Sequence, residues 1–110
     1  MKQSRTELLP SPVRRALRKL GTDISIARRK RRVTTGMMAE RIGITAVTYF
    51  KVERGDPGVG LGTYALALYS LGLGTPWADL VDAGRDETGL LLDLERIPKR
   101  ARTRTESPAR

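Results

Sequence analysis

Apolar residues near the N-terminus recur at spacings of three and four, with polar residues between them. The members of this stripe are Val13, Ala16, Leu17, Leu20, Ile24 and Ala27. Such spacing places the apolar side chains on one side of a helix. Ser11 followed by Pro12 is typical of an N-cap and the first helical position. The pattern therefore predicts a helix from this pair to about Arg31, and Gly21, which interrupts the stripe, suggests a bend in it.

Two short helices joined by a tight turn are predicted after this long helix. Thr34 is placed to cap a helix over about 35–42, and Thr45 to cap another over about 46–54. Gly43 lies between them, at a position where a left-handed residue commonly ends a helix. Small or apolar residues occupy the positions through which two such helices pack: Ala39, Gly43, Ile44, Tyr49 and Val52. This spacing matches a helix-turn-helix unit, although helical bundles that bind nothing also contain such hairpins.

The rest of the chain is also predicted to be helical. Apolar residues favour a helix over about 61–72, after a glycine-rich loop, and a fifth helix over about 76–83. From about Glu87, Leu, Asp and Glu outnumber β-branched residues, which favours a further helix over a strand. Pro98 ends that helix. We therefore predict an all-α fold of five to six helices.

The length of 110 residues supports one small domain with a modest core. We place this domain at residues 11–97, with the helix-turn-helix motif at residues 34–55. Residues 1–10 are polar and are predicted to be a disordered N-terminal segment. Residues 98–110 lack a core-forming pattern and are predicted to be a basic, flexible tail.

The composition argues against an enzyme or a metalloprotein. The chain contains no Cys and no His, which removes thiol nucleophiles, imidazole bases and most zinc or iron sites. We therefore expect no catalytic activity, no cofactor and no bound metal. No apolar run approaches the roughly 18 residues that a membrane span needs, and the N-terminus lacks an apolar signal segment. We expect a cytoplasmic protein with no membrane partner.

Positive charge is concentrated in one part of the chain. The formal net charge is +9. Residues 14–32 contain nine basic side chains and one acidic side chain, whereas residues 33–96 contain five basic and nine acidic ones. A run of basic residues is often only a solvated face, but this one lies directly before the helix-turn-helix pattern. Clustered Lys and Arg beside such a motif indicate binding to the phosphates of a nucleic acid.

The stretch VTTGMMAERIGITAVTYFKVERGDPGVGLGTYALALYSLGLG resembles the Xre/lambda-repressor type of helix-turn-helix protein. The usual pattern of that family is LTQ-x-x-LA-x-x-x-G-x-S-x-x-T-x-S-x-x-E-x-G, and the resemblance covers about residues 24–83. It implies a lambda-repressor-like domain that binds double-stranded DNA as a homodimer on a palindromic operator and represses transcription. When bound to DNA, such a protein would be associated with the nucleoid.

Longer features resemble the HipB-like antitoxins within this family. These features are the arginine-rich first helix, the stretch ERGDPGVGLGTYALALYSLGLG and the ending IPKRAR. They imply an autoregulated toxin–antitoxin operon and a HipA-like kinase toxin as a protein partner. Two alternatives are a stand-alone repressor without a toxin, and an adaptor of the same fold that binds protein or RNA.

The resemblance also implies which residues contact DNA. The helix over 46–54 would be the recognition helix, whose N-terminal turn enters the major groove. Its leading edge consists of Thr45, Ala46 and Val47, and its groove side carries Phe50 and Lys51. Tyr49 points back into the core. Phe50 would either contact thymine methyl groups or be a partly covered residue at the rim.

Further contacts are implied by the helices before the recognition helix. The phosphate contacts would be Arg29, Lys30, Arg31 and Arg32 at the end of the first helix. Thr35 stands where the family usually has a Gln that reaches base edges, and Phe50 where it commonly has a small polar residue. Arg28 occupies a position from which the family pairs an Arg with the Glu of the ERG motif, here Glu53. The alternative for Arg28 is one more surface charge.

Overall fold

A computed structural model describes residues 8–96, and every regular element within this range is helical. The α-helices are α1 (Ser11–Lys30), α2 (Thr35–Ile42), α3 (Ala46–Arg54), α4 (Leu61–Ser70) and α5 (Glu87–Arg96). Two 3-10 helices cover Pro76–Asp79 and Ala83–Arg85. The prediction of an all-α fold is confirmed for the described residues.

The helices form two compact units, residues 8–75 with α1–α4 and residues 76–96 with α5. The domain predicted at residues 11–97 spans both units. Apart from residues 8–10, the predicted disordered N-terminal segment lies outside the described residues, as does the predicted basic tail. Within residues 8–96, no helix combines the length and apolar character needed to cross a membrane.

The bounds of α2 and α3 are those that the sequence predicts, because both helices are capped locally. The Thr34 hydroxyl accepts a hydrogen bond from the Met37 backbone N–H at 3.1 Å, which satisfies a donor in the first turn of α2. Thr45 makes the same 3.1 Å bond to the Thr48 backbone N–H at the start of α3. Gly43 ends α2 in the left-handed conformation, with φ of 74°.

The core lies in the first unit, where α1 packs on α3 and α2 packs on both α3 and α4. Its buried members are Ile24, Val33, Met38, Ala39, Tyr49, Val52, Tyr64, Ala67 and Leu71. Tyr49 and Val52 are fully buried, which confirms the predicted inward side of α3. Leu20, Ala27, Ile42 and Ile44 are partly buried against this cluster. Burial of these apolar side chains is the main favourable contribution to the stability of the unit.

Two glycines set the distance between α1 and α3. A Cβ on Gly21 would lie 2.5 Å from the Glu53 carbonyl oxygen and 2.6 Å from the Gly55 nitrogen. A Cβ on Gly55 would overlap the Leu17 carbonyl group, and Gly55 is also left-handed, with φ of 71°. α1 continues through Gly21 as one helix, and the bend suggested there stays a prediction. Gly21 is required for the close approach of α3.

Several predicted details at the ends of the elements are wrong. Pro10, not Ser11, is the cap residue of α1, and no side-chain cap bond is made there. The Ser11 hydroxyl instead accepts a 3.1 Å bond from Arg15 Nη1. The helix predicted over 61–72 ends at Ser70. Val13, a member of the predicted apolar stripe, is 44% exposed, since it lies in a first turn that the core does not cover.

The fifth helix predicted over 76–83 is also wrong. The segment forms only the 3-10 helix Pro76–Asp79, followed by a turn. Leu80 and Val81, two of its apolar residues, are 74% and 83% exposed. Tertiary packing of an apolar face normally stabilises a short helix against its nucleation cost, and here that packing is missing. The helix predicted from Glu87 is confirmed as α5.

Candidate nucleic-acid interface

The N-terminal half of α3 presents apolar side chains to solvent. Val47 is 65% exposed and Phe50 is 56% exposed, whereas Tyr49 between them is fully buried. Ala46 and Lys51 are exposed on the same helix. Because successive helical residues differ by about 100°, Tyr49 in the core leaves Phe50 outside it. The facing predicted for α3 is confirmed, and it leaves an open surface at the leading edge of the helix.

Thr45 and Thr35, the two threonines that the family resemblance implies as DNA contacts, differ in their surroundings. The Thr45 hydroxyl accepts the capping bond and is also hydrogen-bonded to the Thr48 hydroxyl at 3.0 Å. A contact from Thr45 to an external group must therefore compete with, or add to, this local pair. Thr35 is half-buried in the first turn of α2, which packs against α3. The Thr35 side chain is less exposed to solvent than those of Val47 and Phe50.

Exposed basic side chains lie at the end of α1 and directly after it. They are Arg29, Lys30, Arg31 and Arg32. Arg29 Nε donates to the Ser25 carbonyl at 3.3 Å, and Arg31 Nη1 donates to the Ala27 carbonyl at 2.9 Å. Neither residue forms an ion pair with a carboxylate among residues 8–96. Their charges are therefore available to an anionic partner.

Arg32 has an unusual backbone conformation. Its φ of 56° is the only positive value at a non-glycine position among the described residues. The conformation closes the end of α1, since the Arg32 N–H donates to the Arg29 carbonyl at 3.0 Å and the Val33 N–H donates to the Arg28 carbonyl at 3.3 Å. An L-residue with a Cβ is disfavoured there by about 1–2 kcal/mol, and glycine is the usual choice. The sequence pattern did not reveal this strain.

Behind this surface, Arg28 and Glu53 form the ion pair that the family pattern implies. Arg28 Nε donates to Glu53 Oε2 at 2.6 Å, and Arg28 Nη2 donates to Oε1 at 3.3 Å. Arg28 Nη1 also donates to the Val33 carbonyl at 2.8 Å, in the connection between α1 and α2. One guanidinium thus ties α3 to α1 and to the connection that precedes α2.

Tyr49 completes this network, a contact that we did not predict. Its hydroxyl donates to Glu53 Oε2 at 2.5 Å. The signal in the sequence is the spacing of four residues, which places Tyr49 and Glu53 one helical turn apart. Tyr49 therefore fills the core with its ring and orients the carboxylate with its hydroxyl.

The environment shifts the pKa values of this network. Burial is the largest influence on the Glu53 carboxyl and opposes its ionisation, but the hydrogen bonds from Arg28 and Tyr49 together outweigh it. The pKa of Glu53 consequently lies below its usual value. Burial, reinforced by the bond to Glu53, raises the pKa of Tyr49 well above its usual value. The carboxylate is ionised and the phenol neutral at physiological pH, as the hydrogen-bonding pattern requires.

The residues implied as DNA contacts fall into three parts of one unit. Val47 and Phe50 form the apolar centre on α3, Thr35 lies at the start of the neighbouring α2, and the arginines lie at the end of α1 and directly after it. We call this set the candidate interface. Its members are Arg29, Arg31, Arg32, Thr35, Thr45, Ala46, Val47, Phe50 and Lys51. Comparisons of the chain with protein-family models, with curated proteins and with solved structures found no match.

Proposed function

We propose that this protein is a sequence-specific, double-stranded DNA-binding regulator that represses transcription through a lambda-repressor-like domain. The observation that carries the proposal is the exposure of Val47 and Phe50 on either side of the buried Tyr49. Their apolar side chains at the start of a helix suit thymine methyl groups in the major groove. The proposal assigns the protein no enzymatic activity.

The basic residues beside α3 support the same function. Arg29, Arg31 and Arg32 are exposed and have no carboxylate partner among the described residues. Guanidinium groups recognise phosphate oxygens well, and phosphate contacts fix the position of a protein on the duplex. The combination of apolar residues for base edges and arginines for phosphates is what sequence-specific binding needs.

A homodimer on a palindromic operator is part of the proposal. One recognition helix reads only a few base pairs, so a two-fold dimer with two half-sites about one helical turn apart increases specificity. The second recognition helix would be supplied by the other copy of the chain. Analytical ultracentrifugation of the protein with and without duplex tests the stoichiometry of two chains per operator.

The decisive experiment is a binding titration with the DNA upstream of the protein's own gene, compared with a scrambled duplex of equal length. We expect tighter binding to the upstream DNA, as an autoregulated operon requires. If each subunit makes about three phosphate contacts, the slope of log K against log salt should be roughly −5 for the dimer. A slope near zero together with equal affinity for both duplexes would overturn the proposal.

We further propose the antitoxin role and a HipA-like kinase toxin as protein partner. The supporting observation is the second unit, in which none of the described residues 76–96 is buried. The exposed leucines of α5 are Leu90, Leu91, Leu92 and Leu94. Apolar residues left open to this extent often mark a protein-binding surface. Co-purification with the product of the adjacent gene tests this role, and its failure would leave a stand-alone repressor.

The adaptor alternative makes a different prediction in the same titration. An adaptor that binds protein or RNA would show no preference for upstream duplex DNA over scrambled DNA. Competition with single-stranded RNA of equal charge separates the cases, because a duplex-specific repressor should retain its operator under that competition.

A further inference from the structure

A cleft of about 250 Å³ lies where α1 meets the end of α3. Its lining residues are Arg14, Arg18, Arg54, Gly55, Asp56 and Pro57. The volume is several times the roughly 30 Å³ that one water molecule occupies in the liquid. The cleft is therefore large enough for a small tetrahedral anion with part of its hydration shell.

The charges around this cleft are unbalanced. Three of its lining residues are arginines, whereas Asp56 is the one acidic residue among them. That carboxylate is engaged in its own loop, where Oδ1 accepts a 2.7 Å bond from the Gly58 backbone N–H. Its other oxygen lies 3.9 Å from Arg54 Nη2, at the outer limit of an ion pair. Arg14 and Arg18 have no carboxylate partner among residues 8–96.

Arg14, which lines the cleft, has one side-chain donor without a hydrogen-bond partner. Arg14 Nε is buried, yet it has no hydrogen-bond partner within the described part of the chain. Leaving a buried donor unpaired is costly, more so when it belongs to a charged group, and native proteins rarely do so. A rotation of the half-buried Arg14 side chain toward the cleft would let an oxygen atom from outside the protein satisfy this N–H.

The loop that closes the cleft is held in place by the core. The Tyr64 hydroxyl donates to the Asp56 carbonyl oxygen at 2.8 Å, and the Tyr64 ring is buried. Gly55 lies against the backbone of Leu17, so the end of α3 cannot move away from α1 without losing that contact. The backbone that forms the cleft is thus fixed before any ligand arrives, which lowers the cost of binding.

We propose that this cleft binds a phosphate group through Arg14 and Arg18, with Arg54 closing the opposite side. Guanidinium groups match the geometry of phosphate oxygens and remain charged at all physiological pH values. The cleft adjoins the C-terminal end of α3, whereas the candidate interface begins at its N-terminal end, about 13 Å away along the helix axis. The inference therefore does not rest on the proposed DNA binding.

The phosphate could come from a DNA backbone outside the recognised base pairs or from a free phosphate in solution. We would first titrate the full-length protein with inorganic phosphate and follow the Nε–H signals of arginine by NMR, at ionic strength held constant with chloride. The Arg14 signal should shift with phosphate and not with chloride. Arg14→Gln should weaken apparent phosphate binding by about tenfold or more.

Arg15→Gln is the matched control, because Arg15 is an exposed neighbour on α1 that does not line the cleft. It should bind phosphate as the wild type does. Arg18→Gln provides a second cleft variant should Arg14→Gln fold poorly, and the wild-type NMR titration needs no variant.

DNA titrations of the same variants distinguish the two sources. If a backbone phosphate occupies the cleft, Arg14→Gln should reduce the salt slope by about one for each subunit, and Arg15→Gln should not. If the ligand is free phosphate, DNA binding should be the same in all three proteins. The proposal is overturned if phosphate produces no specific shift at Arg14 and the DNA slope is unchanged in Arg14→Gln. A protein that binds phosphate here and no DNA would refute the proposed function alone.

Discussion

Arg28 and Glu53 join the last turn of α1 to the last turn of α3 through a 2.6 Å bond between Nε and Oε2. The two side chains are only 11% and 12% exposed. A pair so far removed from water adds little net stability compared with a well-packed apolar pair, but loss of one partner leaves a charge buried alone. The ion pair therefore matters most for the placement of α3 against α1.

Breaking this pair from either side should destabilise the domain. Arg28→Ala and Glu53→Ala should each lower the free energy of unfolding by about 3 kcal/mol, and the double variant by less than their sum. Urea denaturation of the four proteins measures the coupling. Lys19→Ala is the control, because Lys19 and Asp23 form an exposed pair worth less than about 1 kcal/mol. Additive effects at Arg28 and Glu53 would show that they do not act together.

The ion pair should make stability depend on pH in the acidic range. The pKa of Glu53 is lower in the folded protein than its ordinary value of 4.5. Its contribution is therefore fully present above that ordinary value and is lost as pH falls through the folded-state pKa. The difference in unfolding free energy between wild type and Glu53→Gln should shrink on acidification. A difference that stays constant from neutral pH to about pH 3 would contradict the assigned pKa shift.

Gly21→Ala should be among the most damaging small substitutions in the chain. The added methyl group would meet the backbone of Glu53 and Gly55, which no side-chain rotation can relieve, and overpacking of this kind costs about 1–3 kcal/mol or more. Gly62→Ala in α4 is the control, since no atom lies within 4 Å of its Cβ position. That change should stabilise by about 0.5–1 kcal/mol. Thermal unfolding of both variants checks the contrast.

Val47→Ser and Phe50→Ser should separate DNA recognition from folding. Both side chains are exposed, so the free energy of unfolding should change by no more than about 0.5 kcal/mol. Specific DNA binding should weaken by about 1–3 kcal/mol for a key contact, while non-specific binding stays close to unchanged. Tyr49→Ser is the opposite control, because it removes a fully buried ring and should destabilise the domain. Unchanged operator affinity in both surface variants would remove them from the candidate interface.

Arg32→Gly should raise the free energy of unfolding and weaken DNA binding. Glycine relieves the left-handed strain, and part of that gain is offset by its greater freedom in the unfolded chain, so we expect a net stabilisation of about 1 kcal/mol. Loss of a phosphate contact should at the same time make the salt slope shallower by about one per subunit. Arg31→Ala, which leaves the left-handed residue in place, should weaken binding without the gain in stability. If Arg32→Gly is more stable and binds DNA equally well, the strained arginine has no role in binding.

The sequence alone determined the helix-turn-helix region almost to the residue. Thr34 and Thr45 cap their helices through bonds to backbone groups three residues away, and Gly43 ends α2 through its own backbone freedom. Interactions this local do not depend on the rest of the chain, so the sequence contains them fully. The burial of Tyr49 and the exposure of Phe50 follow from the helical period once one side of α3 faces the core. The Arg28–Glu53 pair, 25 residues apart, was indicated by the family pattern and not by any local rule.

Only the tertiary structure decided the features that depend on which elements meet. In the sequence, Gly21 only interrupts the apolar stripe of a helix. The structure shows that it is needed because the backbone of α3 passes close to it, and such a close approach leaves no periodic signal in the sequence. The helix predicted over 76–83 did not form because Leu80 and Val81 stay exposed among the described residues, and a local pattern cannot supply a packing partner. Arg54 of the cleft lies 40 residues after Arg14 and 36 after Arg18, and it meets them because α1 packs against α3. Local hydrogen bonding and helical period can be read from the sequence, whereas contacts between distant segments depend on packing.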